Sequence, residues 1–151
     1  MIVEPNQAYL YAYSNGVKFP NDWHITENFT WNEVFKNERL SDGVPILEVF
    51  ENALKLAKYM QEIREELKQP INIHCWVRQF KHNKRVTGGK LSAHLNGLAV
   101  DFVVKNMTSQ QAREYIKAMR LPVRIEADTD GWVHIDLSTY VKNYRAGLFY
   151  A

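Results

Sequence analysis

At 151 residues, 46% of them apolar and 24% charged, the chain has the composition of one globular domain spanning 1–151, which excludes a disordered polymer. The longest apolar runs, such as residues 98–104, are too short for a bilayer, and this one carries Asp101, so no membrane role is indicated. A formal charge of +2 makes no case for nucleic acid, because basic residues cluster only at Lys81, Lys84, Arg85 and Lys90, without interleaved aromatics.

The opening Met1-Ile2-Val3-Glu4-Pro5-Asn6 lacks the basic segment and apolar stretch of a secretory signal, so synthesis in the cytoplasm is the expectation. Tyr9, Tyr11, Tyr13, Pro20 and Trp23 fall between turn formers, and residues 1–30 read as an irregular, partly extended lead-in. Thr30-Trp31-Asn32-Glu33 has the form of a capping box, in which hydroxyl and carboxylate satisfy backbone amides, and predicts a short helix over 31 to about 37. Residues 41–45 read as a loop. Apolar residues then recur at 46, 50, 53, 57, 60, 63 and 67, steps of three and four that put them on one face of a long helix stopped ahead of Pro70.

Residues 71–77 are rich in β-branched and aromatic side chains and read as a strand. Within it Cys75, which has no partner for an internal disulfide, reads as a buried thiol. Residues 78–89 read as a basic loop with one helical turn around 81–86, and 97–104 as a second strand. Thr108-Ser109-Gln110-Gln111 is another capping box, opening a helix to about 120. Residues 123–127 and 131–137 read as two strands joined by Asp128-Thr129-Asp130-Gly131, whose Asp-Gly step suits a hairpin. From Ser138 onward no periodicity is evident. The pattern predicts an α+β fold, an antiparallel sheet backed by helices.

Two segments carry the chemistry: Ser92-Ala93-His94-Leu95-Asn96-Gly97-Leu98-Ala99-Val100-Asp101, and Trp132-Val133-His134-Ile135-Asp136. On a strand, alternate residues share a face, so Trp132, His134 and Asp136 point one way while Val133, Ile135 and Leu137 point the other. The same alternation makes Asp101 a charge in a buried strand, and a buried carboxylate needs a cation close by. Singly, each residue has an ordinary explanation: His94 capping a turn, Asp101 paired with Arg78 or Lys105, His134 a satisfied core histidine. Together, His94, Asp101 and His134 are the ligand set that one zinc ion with an open fourth position requires. Mixed imidazole and carboxylate donors favour zinc over calcium or magnesium.

On these residues the chain resembles the zinc D-alanyl-D-alanine carboxypeptidases and L-alanyl-D-glutamate endopeptidases of bacteria and phages, which share a fold with the Hedgehog signalling domain. Ser92, His94, Gly97, Ala99 and Asp101 meet the family's serine-x-histidine-x-x-glycine-x-alanine-x-aspartate motif, and Trp132, His134 and Asp136 meet its second-histidine strand. Phe29 to Glu33, the approach from Pro70 to Arg78, and residues 83–89 also resemble family segments, so the likeness covers about 25–137. The resemblance implies a Hedgehog/DD-peptidase-like fold and hydrolysis of D-amino-acid-containing stem peptides of peptidoglycan by a zinc-activated water. The enzyme is expected to be a monomer that reaches the wall after lysis, phage delivery or export.

It further implies Arg78 as the group stabilising the oxyanion and Ser92 as a substrate contact or a hydrogen-bond partner behind the ligands, with a loop-capping role for Ser92 equally open; Trp132, on the His134 face, reads as a wall of the cleft that contacts substrate. Two departures matter. The family usually has serine-glycine-tyrosine where this chain has Cys75-Trp76-Val77, and the general base three residues before the second histidine where this chain has Gly131. Other branches place the base about where Asp128 falls, and Glu126 is the rival: a hairpin setting it opposite Trp132 turns it to the His134 face, and a one-residue slip turns it away. These departures keep a second reading open, a non-catalytic zinc-binding or wall-binding module of the same fold.

Overall fold

The computed structural model describes residues 1–36, 38, 43–87, 92–137 and 147–149. Much of the expected lead-in is helical: α1 spans Pro5–Asn15, with proline near its start, where the missing N–H is no loss, and Gly16 at φ +85° closing it. Ala8 and Ala12, both fully buried, are its contact face. Strands β1 (His24–Thr26) and β2 (Phe29–Thr30) form a small antiparallel ribbon. The capping box at Thr30 is present and opens a single helical turn, α2 (Trp31–Val34). Position 37, the expected end of that helix, lies outside the described residues, as do Ser41 and Asp42, the glycines at 88 and 89, Lys90 and the tail over 138–146.

The long amphipathic helix α3 runs Leu47–Leu67 and buries Val49, Phe50, Ala53, Leu56, Ala57, Met60, Ile63 and Leu67. Lys68 then turns left-handed two residues before Pro70 and ends it. Next come β3 (Ile71–Cys75), α4 (Phe80–Thr87), one turn of 3-10 helix (Ala93–Asn96) and β4 (Ala99–Val104). α4 is a full two turns where the sequence suggested one. The second capping box, at Thr108, opens α5 (Ser109–Met119), followed by β5 (Arg124–Glu126), β6 (Val133–Asp136) and β7 (Gly147–Phe149).

The main sheet has the order β3-β4-β6-β5-β7. Its pairings are antiparallel except the last, where β7 joins β5 in parallel, an edge strand with no forewarning in the local sequence. Val100, Phe102, Val104, Val133, Ile135, Ile73 and Ile125 join the buried residues of α3 and α5 in one apolar core. Alternation along β4 and β6 therefore turns Asp101 and His134 to the sheet's other face. Among the described residues, no helix is long and apolar enough to cross a membrane.

Candidate metal centre

Register assembles the centre. Asp101 on β4 stands opposite His134 on β6, and a bulge between Ile73 and Cys75 sets Cys75 of β3 on Asp101's other side. On the far side of β6, Arg124 pairs with Asp136 and Ile125 with Ile135, which carries Glu126 to His134. Glu126 is in turn the partner of Phe149 on β7. Five strands thus contribute one row: Cys75, Asp101, His134, Glu126, Phe149.

His94 enters from the 3-10 turn, and its placement is held by many small constraints. Ser92 caps that turn, its hydroxyl accepting the His94 N–H at 3.2 Å. Gly97 ends it at φ +81°, where a Cβ would lie 2.7 Å from the Val49 carbonyl oxygen of α3. Asn52 of α3 donates to the Asn96 carbonyl at 3.1 Å, and the Trp76 indole N–H to the Gly97 carbonyl at 3.1 Å. The His94 carbonyl accepts from the Arg78 N–H at 2.9 Å.

The ring nitrogens have distinct duties. His94 Nδ1 lies 2.6 Å from the Trp76 carbonyl, which can only accept, so Nδ1 carries the proton. Its Nε2 is buried and 3.3 Å from Asp101 Oδ2, and makes no hydrogen bond among the described residues. His134 is bracketed, Nδ1 2.7 Å from Asp101 Oδ1 and Nε2 2.7 Å from Asp136 Oδ2. Asp136, 2% exposed, is gripped by Arg124 through Nε and Nη2 at 2.7 and 2.9 Å. Arg78 lies with Nη2 3.6 Å from Asp101 Oδ2, Nε 3.4 Å from Cys75 Sγ, and Nη1 donating to Asn83 of α4 at 3.4 Å.

The opposed charges raise the proton affinity of the imidazoles and lower that of the carboxylates paired with them. Burial works against charge on His134, but Asp101 and Asp136 outweigh it and its pKa is pushed up to about 9. Burial would raise Asp101, yet His134 and His94 hold its carboxyl well below the usual carboxylate range. His94 is raised, the pull of Asp101 and Cys75 overcoming its burial. Glu126 moves upward as well, first through burial and then through the neighbouring carboxylates, with His134 opposing.

One donor atom each from His94, Asp101 and His134 lies within 4.8 Å of the others. Two nitrogens and a carboxylate oxygen suit zinc, and the buried His94 Nε2 makes no hydrogen bond among the described residues that would compete with a metal. An Nε2–H held by Asp136 leaves His134 Nδ1 as the ligating atom, the usual carboxylate-oriented arrangement. The residues fit the ion.

Of the other residues singled out in the sequence, Arg78 reaches the centre and Glu126 lies half-buried across from His134. Asp128 falls on the exposed turn beyond β5, and Trp132, just ahead of β6, is 39% exposed. Cys75 departs from expectation: it is half-buried at the edge of the centre and 3.9 Å from His94 Nδ1, not a core thiol. Burial opposes its ionisation, yet His94 and Arg78 hold the thiol below its ordinary value. Arg124 and Phe149 were missed. The parity of the β5 strand, which aligns Arg124 with Glu126, was a usable signal for the first; the second depends on a distant parallel pairing.

Residues 27–136 match the model of the family described as Peptidase M15. No curated protein matches the chain.

Proposed function

The chain belongs to the peptidase M15 family, and from that membership we propose that it is a zinc metallopeptidase acting on D-amino-acid-containing stem peptides of bacterial peptidoglycan. The convergence of His94, Asp101 and His134 within 4.8 Å carries this reading. Those three residues are the assigned zinc ligands. When bound, zinc supplies a Lewis acid that polarises the scissile carbonyl and draws the pKa of a water toward neutral.

The protein's own groups divide the remaining work. Glu126 is assigned as general base, its carboxylate taking a proton from the attacking water and returning it to the leaving amine. Its half-burial, which raises its pKa, and its place across from His134 suit a group that accepts and then releases a proton. Arg78, steadied by Cys75 and Asn83, presents its guanidinium to the oxygen on which negative charge develops. Asp136, itself fixed by Arg124, orients His134. Trp132 offers an apolar wall to the peptide, and Ser92 serves the site through the turn it caps.

The test is incubation of zinc-loaded protein with purified sacculi and with isolated stem peptides, scored by release of new amino termini. Release that disappears in His94→Ala supports the proposal. Sedimentation of the protein with sacculi, without release of termini, would replace it with a wall-binding module.

A further inference from the structure

The edge strand β7 lies beyond the residues matched to the family, yet its side chain enters the centre. Parallel pairing with β5, fixed by the Ala127 N–H donating to the Phe149 carbonyl at 2.7 Å, brings Phe149 beside Glu126. Its ring meets the His134 imidazole edge-on, centroids 5.9 Å apart and planes at 72°. The Arg124 guanidinium carbon sits 3.8 Å from the same ring's centroid. Arg124 forks onto Asp136, and Asp136 holds His134 Nε2, so four side chains close a circuit: Phe149, Arg124, Asp136, His134.

Each link removes a freedom the metal centre cannot tolerate. An imidazole can rotate and offer either nitrogen, and ordering it on metal binding costs affinity unless its orientation is preset. Asp136 presets it only while its own carboxylate is held, and that depends on a long arginine side chain with many rotamers. A ring face beneath the guanidinium limits those rotamers by cation–π attraction, which strengthens as water is excluded.

Building on the zinc peptidase reading, we propose that Phe149 is a positioning residue of the metal centre: by seating Arg124 on Asp136 it keeps His134 turned with Nδ1 toward Asp101 and His94. A passive cover for the sheet edge would need only apolar bulk, which leucine supplies. The positioning role needs an aromatic face.

Zinc affinity of the full chain, measured by competition with a chelating indicator, separates the two. Phe149→Tyr should stay within about twofold of wild type, while Phe149→Leu should bind zinc about tenfold more weakly, the low end for groups that orient a metal ligand. Thermal stability of the metal-free Leu variant should stay close to wild type. Arg124→Met should weaken zinc similarly, and the double variant should be no worse than Arg124→Met alone, because both residues act through one path. Nitrogen chemical shifts of the His134 ring in zinc-loaded protein should show a single tautomer in wild type and Phe149→Tyr, and line broadening in Phe149→Leu.

Wild-type affinity in Phe149→Leu overturns the proposal. So does additive loss in the double variant, which also decides the matter if Phe149→Leu proves unstable. A wild-type protein that binds no zinc overturns the peptidase reading along with it.

Discussion

Glu126 and Asp128 stand two residues apart in very different surroundings. Glu126 ends a strand inside the sheet, across from His134, whereas Asp128 lies on an exposed turn. Only the first stands across from a proposed ligand, and Glu126→Gln is expected to lower turnover of stem peptides by about a hundredfold or more with zinc content unchanged. Asp128→Asn should stay near wild type in the same assay. The sequence left these two acids as rival candidates for the proposed base, because strand parity depends on register. The hairpin's register differs by two residues from one that sets Glu126 opposite Trp132, which preserves the face and brings Glu126 to His134 itself.

His134 yields a prediction with a sign. In the metal-free protein its pKa is raised from 6.5 to about 9 by Asp101 and Asp136, in spite of burial. A raised histidine stabilises the fold fully below its unfolded value and loses that contribution as pH climbs through the folded one. Metal-free protein should therefore lose thermal stability between pH 6.5 and about 9. Zinc competes with the Nδ1 proton, so its affinity should rise over the same interval. Calorimetry of metal-free and zinc-loaded samples across that range checks both. A flat profile in both would contradict the bracketed geometry.

At the level of elements, the turn bearing His94 depends on α3. Gly97→Ala forces a side chain into a left-handed position and against the Val49 carbonyl, which should cost about 2 kcal/mol. That corresponds to a fall in Tm of roughly 5 °C. Zinc affinity should drop as well, because the turn cannot move without His94. Thermal melts together with zinc competition would reveal the pairing of effects; a loss of stability with zinc binding intact would detach the turn from the centre.

The elements that were legible in sequence have local causes. Both capping boxes are formed, and α3 follows its apolar stripe to the turn before Pro70. α1 was not legible, since Tyr9, Tyr11 and Tyr13 repeat at a period of two and suggest extended chain. Its helix is stabilised by packing through Ala8 and Ala12, and Pro5 and Gly16 were the available signs of its ends. β7 was illegible for a different reason. It exists through pairing with β5, and three residues of edge strand carry no periodicity.

For the molecule as a whole, one sheet divides the labour. Its inner face and the helices form the apolar core; its outer face carries a row of ionisable groups from neighbouring strands. The three proposed metal ligands were readable because strand alternation and motif spacing are local properties. The groups that steady them were less so: Arg124 meets Asp136 only in the register of the β5–β6 pairing, and Phe149 reaches His134 only through the parallel pairing of β7.

Zinc titration of metal-free protein by calorimetry addresses the central claim most directly. The geometry predicts one ion per chain in the wild type, with that binding lost in His94→Ala and in His134→Ala while the variants remain folded. Absence of binding in the wild type, or binding that survives both substitutions, would contradict it.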